Sequence, residues 1–211
     1  MDLKLMRVKT VPESEWKALK PCDGCQSESF RFLFSKQGGS GQSFDLVECQ
    51  QCGLMQVNPA PSAKELAALY QDTYFQKRTD RGYDNYFSPA LRQEIRRVFA
   101  LNLADLGFFD WEMELFDSKL RRRSLDIGCA AGYFVEFLQE RSWQAWGVDI
   151  SRSALSAGLA RHLSLLEGDF LTLPELEKGS FDLVSMWATI EHLESPAGAL
   201  KRIHDLLAPG G

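Results

Sequence analysis

From Arg123 to Gly211, short apolar runs alternate with amphipathic stretches, and this alternation limits the fold more than any other feature of the 211-residue chain. LDIG reads as a strand and YFVEFLQERS as a helix. AWGVDI is a strand, and SRSALSAGLARH a helix with Ser151 as its N-cap. LSLLEGD is a short strand, FDLVSMW another, and SPAGALKRIHDLL a helix ending at Pro209-Gly210-Gly211. Strands alternating with helices of this length specify α/β architecture with a parallel, doubly wound sheet. Such a sheet binds ligands at the carboxyl ends of its strands.

The first of those ends is the turn in SLDIGCAAGYFVEFL, Ser124 to Leu138. A dinucleotide turn wants G-x-G-x-x-G, whose second and third glycines make room for pyrophosphate. Here those two slots hold Ala130 and Tyr133, and a bulky Tyr133 where the helix must approach the strand argues against a dinucleotide. The segment offers Asp126, Gly128, Cys129, Ala130 and Gly132. Asp149, at the end of the next strand, can accept from both ribose hydroxyls of either kind of nucleotide, with Ile150 beside it. Cys129 reads as a small pocket-lining residue.

Asp126-x-Gly128-x-Ala130-x-Gly132 resembles motif I of the class I S-adenosylmethionine-dependent methyltransferases, a Rossmann-like family. The resemblance runs through five motifs in order over Leu125 to Gly211. It implies that Asp126 sits beside the cofactor's ammonium, that the helix N-terminus favours its carboxylate, and that Asp149 holds the ribose diol. Gly168-Asp169-Phe170 is similar to the segment after the third strand, where the acid accepts from the adenine amino group and the aromatic flanks the ring. FDLVSMWATIEHLESP is similar to the fourth-strand motif, after which Trp187 either walls the adenosyl pocket or simply packs in the core. In the branch resembling quinone-biosynthesis methyltransferases an E-H pair follows this strand. His192 is therefore a candidate base, or equally a capping residue of the cofactor pocket, and Glu191 is its structural or cofactor-proximal neighbour.

The asparagine/aspartate-Pro-Pro-aromatic signature of amino-group methyltransferases is absent; that slot reads Met186-Trp187-Ala188-Thr189. The expected acceptor is a small molecule of sugar, quinone or secondary-metabolite type, methylated on oxygen or carbon. An RNA methyltransferase of the ribosomal type, and a cofactor-binding or interaction protein without turnover, are the alternatives. The family's sheet order is 3-2-1-4-5-7-6, so this chain is expected to supply only strands 3-2-1-4 and to leave FDLVSMW as an exposed apolar edge. It is thus expected to be a C-terminally truncated piece of a longer enzyme.

Ahead of this region, Cys22-x-x-Cys25 and Cys49-x-x-Cys52 flank two predicted strands, SFRFLF and SFDLVEC, joined by a glycine-rich loop. Each pair can form a knuckle that aims two thiolates at one point, and a hairpin brings the knuckles together into a closed four-sulfur site. That is the structural form of zinc; an iron–sulfur centre or redox dithiols are the other readings. Gly53 suits a knuckle that turns with positive φ. Such a segment is similar to the zinc ribbon found ahead of some of these methyltransferases. Three regions follow: residues 1–58 with a zinc-ribbon-like core at 20–58, a helical linker or cap at 59–120, and the methyltransferase part at 121–211. Within the middle region Ser62 and Glu65 form a capping box for a helix through about Tyr70. Ser88-Pro89 opens another, with Ile95, Val98, Phe99, Asn102 and Leu106 at helical spacing.

The charge balance, 24 basic against 29 acidic side chains, argues against a broad nucleic-acid surface. Arg96-Arg97 and Arg121-Arg122-Arg123 are short enough to be solvated. The first twenty residues carry scattered charges and no apolar core of a signal peptide, and no run reaches the ~18 apolar residues of a membrane span. A cytoplasmic setting follows, in which five cysteines do not make a disulfide framework.

Overall fold

A computed structural model describes residues 20–38, 43–61, 87–117 and 122–211. The amino-terminal twenty residues apart from Lys20, and the capping box at Ser62 with its helix through about Tyr70, lie outside the described residues. The described residues fall into two compact units: residues 20–61 with Glu194–Gly198, and residues 87–193 with Ala199–Gly211.

The first unit is built on an antiparallel sheet, β1 (Phe30–Gln37), β2 (Ser43–Cys49) and β3 (Met55–Val57), in that order. The expected hairpin is therefore three-stranded, because the chain leaving the second knuckle runs straight back along β2. Its core is small: Cys22, Phe30, Val47 and Cys49, with Cys25 packed against them. Buried Asn58 closes the unit. Its Nδ2 donates to the Lys20 carbonyl at 2.8 Å and its Oδ1 accepts from the Lys20 N–H at 3.0 Å.

In the second unit four parallel strands stand in the order β6-β5-β4-β7: β4 (Arg123–Ile127), β5 (Gln144–Asp149), β6 (Leu165–Glu167) and β7 (Leu183–Met186). This is the order 3-2-1-4 that the sequence predicts. Side chains alternate along β4, so Leu125 and Ile127 enter one core with Val148, Phe181 and Leu206. Ser124 and Asp126 point the other way. On that face lie α1 (Pro89–Asp105), α2 (Phe108–Asp117), α3 (Tyr133–Glu140) and α4 (Arg152–Leu159), which share a core containing Phe99, Phe108, Phe134 and Leu155. Helix α5 (Pro196–Leu206) contributes Ala199 and Leu206 to the opposite core.

Ser88 caps α1, its Oγ accepting from the Leu91 N–H at 3.3 Å. The buried stripe of this helix is Phe99 and Leu103, with Ile95 half-buried, whereas Val98 and Leu106 are exposed. Helix α2 is anchored by Glu112, which is fully buried, pairs with Arg141 and accepts from Trp143 Nε1 at 2.7 Å. Among the described residues β7 pairs only with β4, yet each of its four residues is half-buried. Leu183 packs into one core and Val184 and Met186 into the other, so this edge is less open than its apolar sequence suggests.

Candidate functional site

From the carboxyl end of β4 a turn leads into α3, beside the end of β5, and winds left-handed at three alternate residues: Gly128 (φ 71°), Ala130 (φ 45°) and Gly132 (φ 71°). Glycine adopts this conformation freely; an L-residue such as Ala130 does so at a cost of about 1–2 kcal/mol and must be held there. Asp149 holds it. Its Oδ2 accepts from the Ala130 N–H at 2.9 Å and its Oδ1 from the Ser151 N–H at 2.8 Å. The Val148 carbonyl takes the N–H groups of Gly128 and Cys129, and Gly132 donates to the Cys129 carbonyl at 2.8 Å. Gly128 is also sterically required, since a Cβ there would lie 2.7 Å from Thr189 Cγ2.

Two carboxylates flank this turn. Asp126 is 4% exposed and accepts from Ser185 Oγ at 2.7 Å across the β4–β7 register. Burial drives its carboxyl up to about 7; the Ser185 hydrogen bond opposes the shift and the charge of Asp149 adds to it. Burial also raises Asp149, against the N–H groups of Ser151, Ala130 and Ile150 that favour its ionised form. Both acids are thus short of positive charge, a condition that a cationic ligand relieves. Cys129 is buried between them, and its thiol is pushed well above the ordinary range by desolvation and by both acids. A neutral thiol is a poor nucleophile, in keeping with a pocket-lining role.

The other expected site residues are placed less uniformly. Ile150 is exposed beside Asp149. Asp169 is exposed and caps its own turn, Oδ1 accepting from the Leu171 N–H at 3.0 Å. The Phe170 ring is buried in the core with Leu125, Ile127 and Val148. Trp187 follows β7 with its ring between Phe99, at 4.8 Å, and Phe134, at 5.1 Å. Glu191 and His192 lie on a short 3-10 turn, Ile190–His192, with Nε2 of the histidine 3.8 Å from Oε1 of the glutamate and both side chains reaching solvent. Three residues that local sequence does not mark also belong here: Ser185 on Asp126, Thr189 over Gly128, and Arg161 behind the turn. Their places come from contacts across 59, 61 and 30 positions of chain respectively, and only Ser185, in register with Asp126, has a sequence signal in the strand alternation.

In the first unit the Sγ atoms of Cys22, Cys25, Cys49 and Cys52 all lie within 4.8 Å of one another, with Cys22–Cys52 and Cys25–Cys49 at 3.5 Å. The knuckles repeat each other. Cys22 N–H bonds the Ser27 carbonyl and Cys49 N–H the Leu54 carbonyl, while Gln26 and Gly53 donate back to Cys22 and Cys49. Gly53 turns at φ 77°, as its identity predicts, and Gln26 turns at φ 62° without being a glycine. Aligning the two Cys-x-x-Cys pairs puts Gln26 opposite Gly53, which is the signal that locates it. Desolvation resists ionisation of Cys49, but N–H groups of Cys52 and Gln51 aimed at its sulfur bring the thiol down to about 6. Cys25, despite the Ser27 N–H, is pushed up to about 12 by burial and the neighbouring sulfurs. Four sulfurs this close cannot all ionise without a cation among them. The donor set, closed and all-sulfur, fits zinc.

Comparison with known proteins adds the following. Residues 87–211 match a protein family described as a methyltransferase domain. The chain is 33% identical over 126 residues to the ubiquinone biosynthesis O-methyltransferase of Burkholderia vietnamiensis, covering 56% of this chain and 52% of that protein. It is 31% identical over 127 residues to the protein of the same name from Idiomarina loihiensis, covering 56% and 50%. The chain thus spans about half the length of the curated relatives it matches. Among solved structures, a SAM dependent methyltransferase from Archaeoglobus fulgidus overlays with a TM-score of 0.42 at 24% identity, covering 54% of this chain and 48% of that one. Among the described residues no helix is long and apolar enough to cross a membrane.

Proposed function

The chain belongs to the methyltransferase-domain family, and from that premise we propose that it takes part in S-adenosylmethionine-dependent methyl transfer to an oxygen of a small-molecule acceptor. The observation that carries this reading is the left-handed turn between Asp126 and Asp149 at the carboxyl ends of adjacent parallel strands, with Asp149 already gripping the Ala130 N–H. The names of the relatives, ubiquinone biosynthesis O-methyltransferases, support oxygen as the methylated atom and a quinone-type acceptor as the substrate class.

When bound, the cofactor supplies a methyl group made electrophilic by its sulfonium. The chain's own residues then have to bind, orient and deprotonate. Asp126 faces the turn as a buried, half-ionised carboxyl, and an ammonium beside it would draw off its proton. Asp149 has lone pairs left for a diol after its two backbone bonds, and Ile150 offers an apolar surface beside it. Cys129, Ala130 and Gly132 form the wall nearest the amino-acid end. Asp169 and Trp187 bound the pocket farther out, and Phe170 acts from the core beneath. His192 would accept the hydroxyl proton of the acceptor as its oxygen takes the methyl group, the cofactor's carbon–sulfur bond breaking to leave a neutral thioether. Glu191 steadies the imidazolium so formed.

The cysteine cluster is read as a structural zinc site: Cys22, Cys25, Cys49 and Cys52 leave no open coordination position, so the metal's part is to hold the ribbon and not to act on substrate. Four reduced thiols held for a metal fit a reducing, cytoplasmic setting. Residues 1–58 would then form the ribbon region, 59–120 a helical cap and 121–211 the methyl-transfer region. Titration calorimetry with S-adenosylhomocysteine tests the central claim. Binding by the wild-type chain, weakened by about 1–3 kcal/mol in Asp149→Ala through the loss of a charged hydrogen bond, is the expected result. Binding of NAD in preference would overturn it.

A further inference from the structure

The turn that would seat the cofactor is held from its front by Asp149, and it is also held from behind. The Ala131 carbonyl lies between the left-handed residues Ala130 and Gly132, and Ala131 is fully buried. A buried carbonyl needs a partner. Arg161, just past the end of α4, provides it: one guanidinium nitrogen donates to Ala131 O at 2.7 Å. The same group donates to the Ala157 carbonyl at 2.9 Å, lies 3.4 Å from Glu136 Oε1 by its Nε, and covers the Tyr133 ring at 5.3 Å. Glu136 is in turn gripped from α1 by Arg92, at 2.6 and 2.7 Å. Three residues before Arg161, α4 approaches the turn so closely that a Cβ on Gly158 would lie 2.6 Å from the same Ala131 oxygen.

We infer that Arg161 is the positioning residue of the cofactor turn: its guanidinium, oriented by Glu136, fixes the Ala131–Gly132 peptide so that the turn presents the binding shape before any ligand arrives. The geometry is specific to an arginine. Its rigid fork donates to two carbonyls while its charge lies against Glu136 without a hydrogen bond from Nε, an arrangement that an ammonium on a flexible stem reproduces less well. Removing it strands a buried carbonyl directly after Ala130, a non-glycine residue held left-handed. The peptide is then free to rotate, and binding must first restore it, which lowers apparent affinity by the competent fraction. This inference rests on the cofactor reading above.

The test combines calorimetry of S-adenosylhomocysteine with hydrogen exchange of residues 126–133 in the full chain. Arg161→Ala is expected to weaken binding roughly ten- to hundredfold, the range for a hydrogen bond to a charged group, and to speed exchange at Ala130 and Gly132. Arg161→Lys keeps the charge but not the fork and falls between. Gly158→Ala provides an independent push on the same carbonyl. It raises helix propensity, but its Cβ would also lie 2.4 Å from Leu165 Cδ1, so exchange along α4 and β6 is read with that of the turn. Faster exchange at Ala130 and Gly132 with α4 unchanged, together with weaker binding, supports the inference even if Arg161→Ala does not fold; unchanged exchange at the turn counts against it. Variants that melt at a lower temperature yet bind within twofold of wild type well below melting would overturn the inference while leaving the cofactor reading intact. A wild-type chain that binds no S-adenosylhomocysteine would remove both.

Discussion

The cysteine knuckles and the glycine turn use the same backbone device in surroundings of very different size. Each is a tight turn with left-handed residues that aims N–H groups inward, Gln26 and Gly53 in the knuckles and Gly128, Ala130 and Gly132 in the turn. They differ in what holds the device still. The knuckles sit on a three-stranded sheet whose core is four residues, two of them the cysteines themselves. The turn sits between two cores fed by four strands and five helices, and is pinned by Asp149, Thr189 and Arg161. On the proposed zinc reading, the small module would borrow rigidity from its metal, whereas the turn is already held by its own chain.

That contrast is broken most severely by removing one sulfur. Cys49→Ser is expected to abolish zinc retention and with it the order of residues 20–61, because metal supplies roughly 10–16 kcal/mol in comparable peptides. Metal analysis and hydrogen exchange check it. Fewer than ~0.5 zinc equivalents in wild-type protein purified without chelator would defeat the zinc assignment, and protection persisting at β1 and β2 in the variant would defeat the dependence on metal.

A smaller effect belongs to the turn side. Asp126 titrates near 7 in the folded chain and near 3.9 when unfolded. Between those values the folded state keeps a proton that the unfolded state has lost. Stability therefore falls as pH rises from about 4 to 7, by at most about 1.4 kcal/mol per pH unit, and the full penalty stands above 7. Asp126→Asn should flatten most of that slope, leaving the part due to Asp149, which is shifted in the same direction. Denaturant melts of both proteins across the window measure it, and parallel slopes would sink the assignment.

The smallest pair of changes compares the two devices directly. A Cβ on Gly53 meets nothing within 4 Å, so Gly53→Ala carries only the left-handed strain, about 1 kcal/mol. Gly128→Ala adds the collision with Thr189 and should cost about 2–3 kcal/mol, together with ligand affinity. Equal losses in the two variants would show that the turn's surroundings yield as easily as the ribbon's.

The parts of the molecule legible in the sequence are those written at short range. Strand and helix alternation predicts β4 to β7 and the sheet order through a resemblance that the fold bears out. The Cys-x-x-Cys spacing predicts the four-sulfur cluster, and Gly53 its left-handed knuckle. Illegible parts have other causes. Strand β3 is three residues long and follows a turn directly, too short for an alternation to register. Val98 stands at helical spacing from Ile95 yet faces solvent, since which stripe of α1 is buried depends on α3, far along the chain. Phe170 follows the motif acid but points into the core, because the exposed turn begins at Asp169 itself.

By itself, then, the sequence determined the four parallel strands and the helices between them, the left-handed knuckle at Gly53, and which thiols and carboxylates stand at the turns. Each of these follows from residue type and spacing over a few positions. Tertiary structure alone decided that Ser185 bonds Asp126, that Thr189 closes over Gly128 and that Arg161 holds the carbonyl behind the turn. Those contacts join residues 30 to 61 positions apart, and a side chain's reach across that distance exists only once the strands have paired and the helices have packed.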